Sequence, residues 1–303
     1  MYTIKNKDFP GVTMFEGVIP AIITPFTRSG QIDIEGLSRN IQFLSKTGIS
    51  GIVPCGTTGE SATLSMEEHN EVIDCVIEHA TVPVIAGTGS NNTTEAVKLT
   101  KYAEDAGADA ALLITPYYNK PNTAGLIRHF TAVAESVEIP IILYNVPGRT
   151  KLNMTPEVTA ELATISNIIG IKEASGDLSQ VSETIELTQD MDFTVFSGDD
   201  ALTLPIMSIG GCGVISVAAN VVPEKVVALF KAFDEGDLSK AQKIHYELAP
   251  FIRTLFLETN PIPVKMAMEL CNLASGYLRL PLYRCTPQTE QALKHVLTNL
   301  GVL

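Results

Sequence analysis

Lys172 closes the apolar run Ile168-Ile169-Gly170-Ile171 and is followed at once by Glu173-Ala174-Ser175-Gly176. A free ammonium belongs in water, with a pKa of ~10.4. At the end of a buried strand the charged form loses hydration, so the neutral amine gains weight. A neutral amine is the nucleophile that Schiff-base formation with a ketone requires. Taken alone, the same residue also reads as a strand-end lysine that snorkels to solvent or pairs with Glu173.

Other apolar runs end in residues of comparable interest. One ends in Cys55-Gly56-Thr57-Thr58-Gly59-Glu60-Ser61, where glycines flank two hydroxyls. Exposed amides in such a turn favour an anion such as a carboxylate. The plainer alternative is an ordinary turn with Thr58 capping a helix; the spacing of a nucleotide phosphate loop is missing. Tyr117 and Tyr118 sit between Pro116 and Pro121, at a stiff tip suited to a subunit interface, to catalysis or to both. Tyr144 could pass protons through a hydroxyl network, or fill the core with its hydroxyl satisfied. Arg149, in Val146-Pro147-Gly148-Arg149-Thr150, could hold a carboxylate bidentately or make a surface ion pair. Asp199 and Asp200 could bind a divalent cation or cap the next helix. Gly210-Gly211-Cys212-Gly213-Val214-Ile215-Ser216 would let backbone approach a ligand closely.

These ends belong to a regular series. Apolar, β-rich runs occur at residues 18–23, 51–54, 82–86, 111–115, 140–145, 168–172, 193–197 and 213–216. Segments of helical period separate most of them, for example at 67–80, 94–106, 126–137 and 155–163. Alternation of this kind implies a parallel sheet buried on both faces. Eight units predict an α/β fold, a (β/α)8 TIM barrel, with chemistry at the C-terminal strand ends. No GxGxxG follows the first strand, which argues against a dinucleotide-binding sheet. Ser65, Asn92 and Thr155-Pro156 mark helix starts. After about Asp234 the strand signals stop, and helices are expected over 238–257, 263–271 and 287–300. The organisation is therefore a barrel over 1–235, with a short N-terminal extension, and a helical C-terminal appendage over 236–303.

Composition narrows the class. Of 303 residues, 45% are hydrophobic and 18% charged, which implies a large core rather than disorder. A formal net charge of −13 argues against nucleic acid and anionic membrane surfaces as partners. The five cysteines lack CxxC spacing and read as reduced, mostly buried thiols of a cytoplasmic protein. The five histidines lack the i, i+4 spacing of a metal helix, so no metal is assigned. The N-terminus has no apolar h-region, and no uninterrupted run of 18 apolar residues occurs, so neither a signal peptide nor a membrane span is expected.

Taken in order, the motifs GTTGES, PYYNKP, YNVPGRT, IKEASG, SGDD and NPIPVK resemble the pyruvate-dependent Schiff-base aldolase and lyase family, from about Glu16 to the C-terminus. The resemblance implies a (β/α)8 barrel with Lys172 as the imine lysine and Tyr144 as proton donor and acceptor. Thr57 and Tyr118 would complete a proton relay, with Tyr118 supplied by a neighbouring subunit of a homotetramer. Thr58 and Ile215 would hold pyruvate, and Arg149 the second substrate. The YNVP-x-RT pattern points to L-aspartate 4-semialdehyde as that substrate, on the route to diaminopimelate and lysine. No cofactor is needed, because the imine itself is the electron sink. Ser61, Ala62, His69, Asn91, Glu95 and Tyr117 match an inhibitory lysine site, but Met66 stands where a histidine is usual and argues against strong sensitivity. The competing readings are a sister lyase acting on a sugar-acid or aromatic aldehyde, and a non-catalytic keto-acid sensor.

Overall fold

The structure, a computed structural model, describes residues 15–303. The expected N-terminal extension before Glu16 lies outside the described residues, apart from Phe15. Seven parallel strands form the sheet: β1 Gly17–Pro20, β2 Ile85–Gly87, β3 Ala110–Ile114, β4 Ile141–Asn145, β5 Ile168–Glu173, β6 Thr194–Ser197 and β7 Gly213–Ser216. Their order is β1-β7-β6-β5-β4-β3-β2.

The expected strand at 51–54 is not a ladder but two single bridges, Ala21 to Val53 and Ile52 to Val84. Those bridges nevertheless close the ring. Val53 N donates to Pro20 O on one side, and Ile85 N donates to Ile52 O on the other. Pro20, Pro54 and Pro83 lack an N–H, so the ladder cannot lengthen where they stand. Eight parallel segments thus make the barrel, and the other seven strand predictions are met within a few residues at each end.

Alternation divides the side chains into two layers. Ile19, Val53, Leu112, Tyr144, Phe196 and Ile215 belong to the inner cluster, together with Phe15. Leu113, Leu143, Ile171 and Val195 face the surrounding helices instead. Helix starts follow the sequence signals: Ser65 forms a capping box with Glu68, Asn92 caps Thr93–Ala106, and Thr155 caps Pro156–Leu162. The C-terminal helices run Leu238–Leu255, Ile262–Leu270 and Pro287–Asn299. Their Phe251, Val264 and Leu293 share one apolar cluster with the barrel's Val18, Ile22 and Val214. No helix among the described residues is long and apolar enough to cross a membrane.

A buried charge cluster fastens this C-terminal part to the turn after segment 51–54. Lys265 pairs with Glu60, both side chains being wholly buried, and donates to Tyr277 O at 2.9 Å. Arg279 donates from its backbone to Glu60 at 3.2 Å and from its guanidinium to Glu68 at 2.6 and 2.7 Å. The Lys265 ammonium and the Arg279 guanidinium lie 4.2 and 4.3 Å from the Phe26 ring centroid. Removing one partner leaves a buried charge uncompensated, so Lys265→Met should destabilise the protein by about 3–5 kcal/mol. Adding Glu60→Gln should recover part of that loss. Denaturant midpoints of the two variants check this, and a Lys265→Met midpoint equal to the parent's would refute it.

Candidate active site

The site gathers at the C-terminal strand ends around a cavity of about 490 Å³. Lys172 is the fifth residue of β5 and pairs in register with Tyr144 of β4. Both are buried, and Lys172 Nζ lies 4.3 Å from the Tyr144 ring centroid. Burial pushes the Lys172 ammonium down to about 8; the buried Asp200 carboxylate opposes the shift and Arg149 reinforces it. Burial raises the Tyr144 phenol, while the charge of Arg149 and a hydrogen bond to Thr57 pull it back. A β-carbon at residue 198 would stand 3.1 Å from Lys172 Cγ and 2.8 Å from Ala174 Cβ, so glycine is required at that position beside the amine.

Asp200 is buried and accepts from the Ser216 hydroxyl, Val217 N (2.9 Å) and Ala218 N (3.1 Å). It therefore joins the end of β6 to the end of β7, next to Ile215. Asp199 takes the capping role, accepting from Ala201 N at 2.9 Å. Among the described residues no group of three or more His, Cys, Asp or Glu could hold a metal ion.

Thr57 lines the cavity with Tyr144 and Arg149. Its turn is bracketed by Cys55 and Glu60, both left-handed at φ near +55°, a conformation that costs roughly 1–3 kcal/mol and concentrates at functional sites. Thr58 is buried and caps no helix; its hydroxyl accepts from Asn260 Nδ2 at 3.0 Å. Arg149 stands on a single helical turn, Pro147–Thr150, and donates from Nη2 to Asn260 O at 2.9 Å. Asn260 thus links Thr58 to Arg149 from the C-terminal region, although sequence reasoning did not single it out. Its amide oxygen is buried and has no hydrogen-bond partner among the described residues.

Ile215 takes its place in the inner cluster with Tyr144 and Phe196. Tyr118 does not join the others. It is 89% exposed and left-handed at φ +67°, whereas Tyr117 lines the cavity. Ser61 and Ala62, two positions of the expected lysine site, line the same cavity. Chemically, the arrangement offers a desolvated amine under a phenol, a hydroxyl beside that phenol and a guanidinium at the mouth. These groups suit imine formation with a small keto acid.

The model for the dihydrodipicolinate synthetase family matches residues 14–300. The chain belongs to this family. The 4-hydroxy-tetrahydrodipicolinate synthase of Methanococcoides burtonii is 61% identical over 290 residues, covering 96% of this chain and 100% of that protein. A crystal structure of a dihydrodipicolinate synthase is 52% identical with a TM-score of 0.92, covering 95% of this chain and all of that one. Another solved relative, described as a monomeric dihydrodipicolinate synthase variant, is 41% identical with a TM-score of 0.93, covering 95% and 98%.

The Lys172 environment carries a pH signature. Only the neutral amine attacks, so its fraction rises as pH rises through about 8 and falls below that value. The rate of pyruvate-dependent reductive trapping should therefore increase about eightfold from pH 6.5 to 7.5 and level off above about 9. A profile still climbing steeply through pH 10 would mean an amine in ordinary contact with water.

Proposed function

We propose that this protein condenses pyruvate with L-aspartate 4-semialdehyde to give 4-hydroxy-tetrahydrodipicolinate, through an imine on Lys172. The observation that carries the proposal is the buried Lys172 amine in register with Tyr144, whose side chain lines a cavity together with Thr57 and Arg149. Membership of the family and the names of its close relatives support the same reaction. Lys172 Nζ adds to the pyruvate carbonyl and water leaves. A methyl proton is then lost, giving an enamine. The enamine carbon attacks the aldehyde, whose oxygen takes up a proton. Finally the substrate amine adds to the imine carbon and displaces Lys172, closing the ring. Tyr144 relays these protons with Thr57. Ile215 supplies apolar wall behind the keto acid, and the Thr58 turn meets its carboxylate.

Arg149 receives the carboxylate of the aldehyde substrate with the N–H groups that Asn260 does not engage. An Arg149→Ala variant should raise KM for aspartate semialdehyde about tenfold to a hundredfold, since hydrogen bonds to charged groups contribute roughly 1.5–3 kcal/mol. KM for pyruvate should stay unchanged. Steady-state kinetics with aspartate semialdehyde, set beside sugar-acid and aromatic aldehydes, decide the acceptor. A preference for the other aldehydes would transfer the protein to a sister lyase activity.

Tyr118 is too exposed to serve its own cavity. We assign it to the relay of a neighbouring copy, in a homotetramer located in the cytoplasm. Mixing inactive Tyr118→Phe chains with inactive Lys172→Ala chains should then restore activity, because some sites receive both intact residues. Mixtures as inactive as either parent would refute the exchange.

A further inference from the structure

The proposed chemistry needs the Tyr144 phenol and the Lys172 amine held at a fixed separation near the ends of two strands, where a sheet frays most easily. Backbone pairing ends there. After Asn145 the chain turns into the Pro147–Thr150 helical turn, and after Glu173 it enters a loop towards the helix Leu178–Thr188. The last backbone bond across the pair runs from Ala174 N to Asn145 O, at 2.9 Å.

Asn145 and Glu173 form the next register pair after Tyr144 and Lys172. Alternation sends the first pair into the barrel and the second outward. Leu143 and Ile171, two residues earlier on the same outward side, lie in apolar packing against the helices. An amide and a carboxylate thus occupy positions where apolar side chains would be ordinary, and both are buried. A buried carboxylate is tolerated only when its oxygens are satisfied.

Here they are. Asn145 Nδ2 lies 3.2 and 3.1 Å from the two Glu173 oxygens, bridging the strands directly. Ser175 N donates to Glu173 Oε1 at 2.7 Å and Gln180 Nε2 to Oε2 at 3.2 Å. Asn145 Oδ1 accepts from Met154 N at 3.0 Å, while Asn153 Oδ1 accepts from Asn145 Nδ2 at 2.9 Å and Asn153 exchanges hydrogen bonds with Gln180. Every donor to the carboxylate is uncharged, so direction rather than charge pairing defines the arrangement. Four elements meet in it: the ends of β4 and β5, the segment after the Arg149 turn, and the start of the helix Leu178–Thr188.

We infer that Asn145 and Glu173 are positioning residues for the Tyr144–Lys172 pair, their cross-strand hydrogen bond on the outer face locking the two strand ends so that phenol and amine keep their relation inside. The inference rests on the imine chemistry proposed above. Neither residue touches substrate. Their effect reaches the reaction through the geometry of the pair, where a displacement of about 1 Å can cost on the order of a hundredfold in rate.

The test uses Glu173→Gln in the full-length protein. Its new amide group would face the donors of Asn145 and Gln180, and Asn145 cannot simply turn over because its oxygen serves Met154. Turnover should fall about tenfold to a hundredfold. KM for aspartate semialdehyde should hold. Borohydride should still trap one pyruvate per chain on Lys172, but more slowly. Asn145→Asp combined with Glu173→Gln reverses donor and acceptor across the strands and, although it loses the Asn145 donation to Asn153 and Met154 O, should recover part of the rate, which a merely structural loss of stability would not. Gln180→Met, outside the buried pair, should lower the trapping rate a few-fold. Parental turnover and trapping rate in Glu173→Gln would overturn the inference, as would a lowered melting temperature with unchanged turnover per trapped site. If Glu173→Gln does not fold, an unchanged trapping rate in Gln180→Met overturns it. Failure of the unsubstituted protein to form any Lys172 adduct would instead overturn the imine reading, and this inference with it.

Discussion

Withdrawal of the Lys172 amine from water is the constraint on which the rest of this site depends. Moving its pKa from 10.5 to about 8 corresponds to roughly 3 kcal/mol of lost preference for the charged form. In the proposed chemistry that loss frees the amine for attack, and the fold must keep it from being relieved. The barrel does so by placing the amine inward on β5, against the Tyr144 ring, with glycine at 198 so that the next strand can approach. Asp200 limits the shift. Its carboxylate is anchored by Ser216, Val217 and Ala218, so it opposes desolvation without leaving the β6–β7 end.

A second lysine shows that desolvation alone does not make a nucleophile. Lys265 is also buried, and its pKa is likewise lowered to about 8 by burial. Its ammonium is paired with Glu60, bonded to Tyr277 O and set over Phe26, so its charge is held in place rather than given up. There the charge fastens the C-terminal helices to the turn that carries Thr57. Through Asn260 the same region reaches Thr58 and Arg149. The helical part beyond 235 therefore shapes one wall of the cavity as well as adding to the core.

Much of this was legible in the sequence, because strand ends advertise themselves. Apolar runs end at Lys172 and just past Tyr144, and in a parallel barrel those ends must face one rim; Ile215 came only from the family resemblance. Partnerships between distant segments were not legible. Nothing local to Asn260 foretells a bond to Thr58, 202 positions away, and Glu173 reads as an exposed partner for Lys172 until alternation sends it to the opposite face. The ring-closing segment 51–54 shrank to two bridges because its proline neighbours lack donors. The aspartate pair divided its work, Asp199 capping and Asp200 bracing the neighbouring strand. Tyr118 was placed by analogy with a family, and its exposure keeps it out of the cavity of its own chain.

The most direct measurement is borohydride reduction of the full-length protein with pyruvate, followed by intact mass and peptide mapping. The account predicts one pyruvate-derived adduct per chain, on Lys172, with Lys265 unmodified. A folded protein that forms no adduct, or one that carries it on Lys265, would contradict the account.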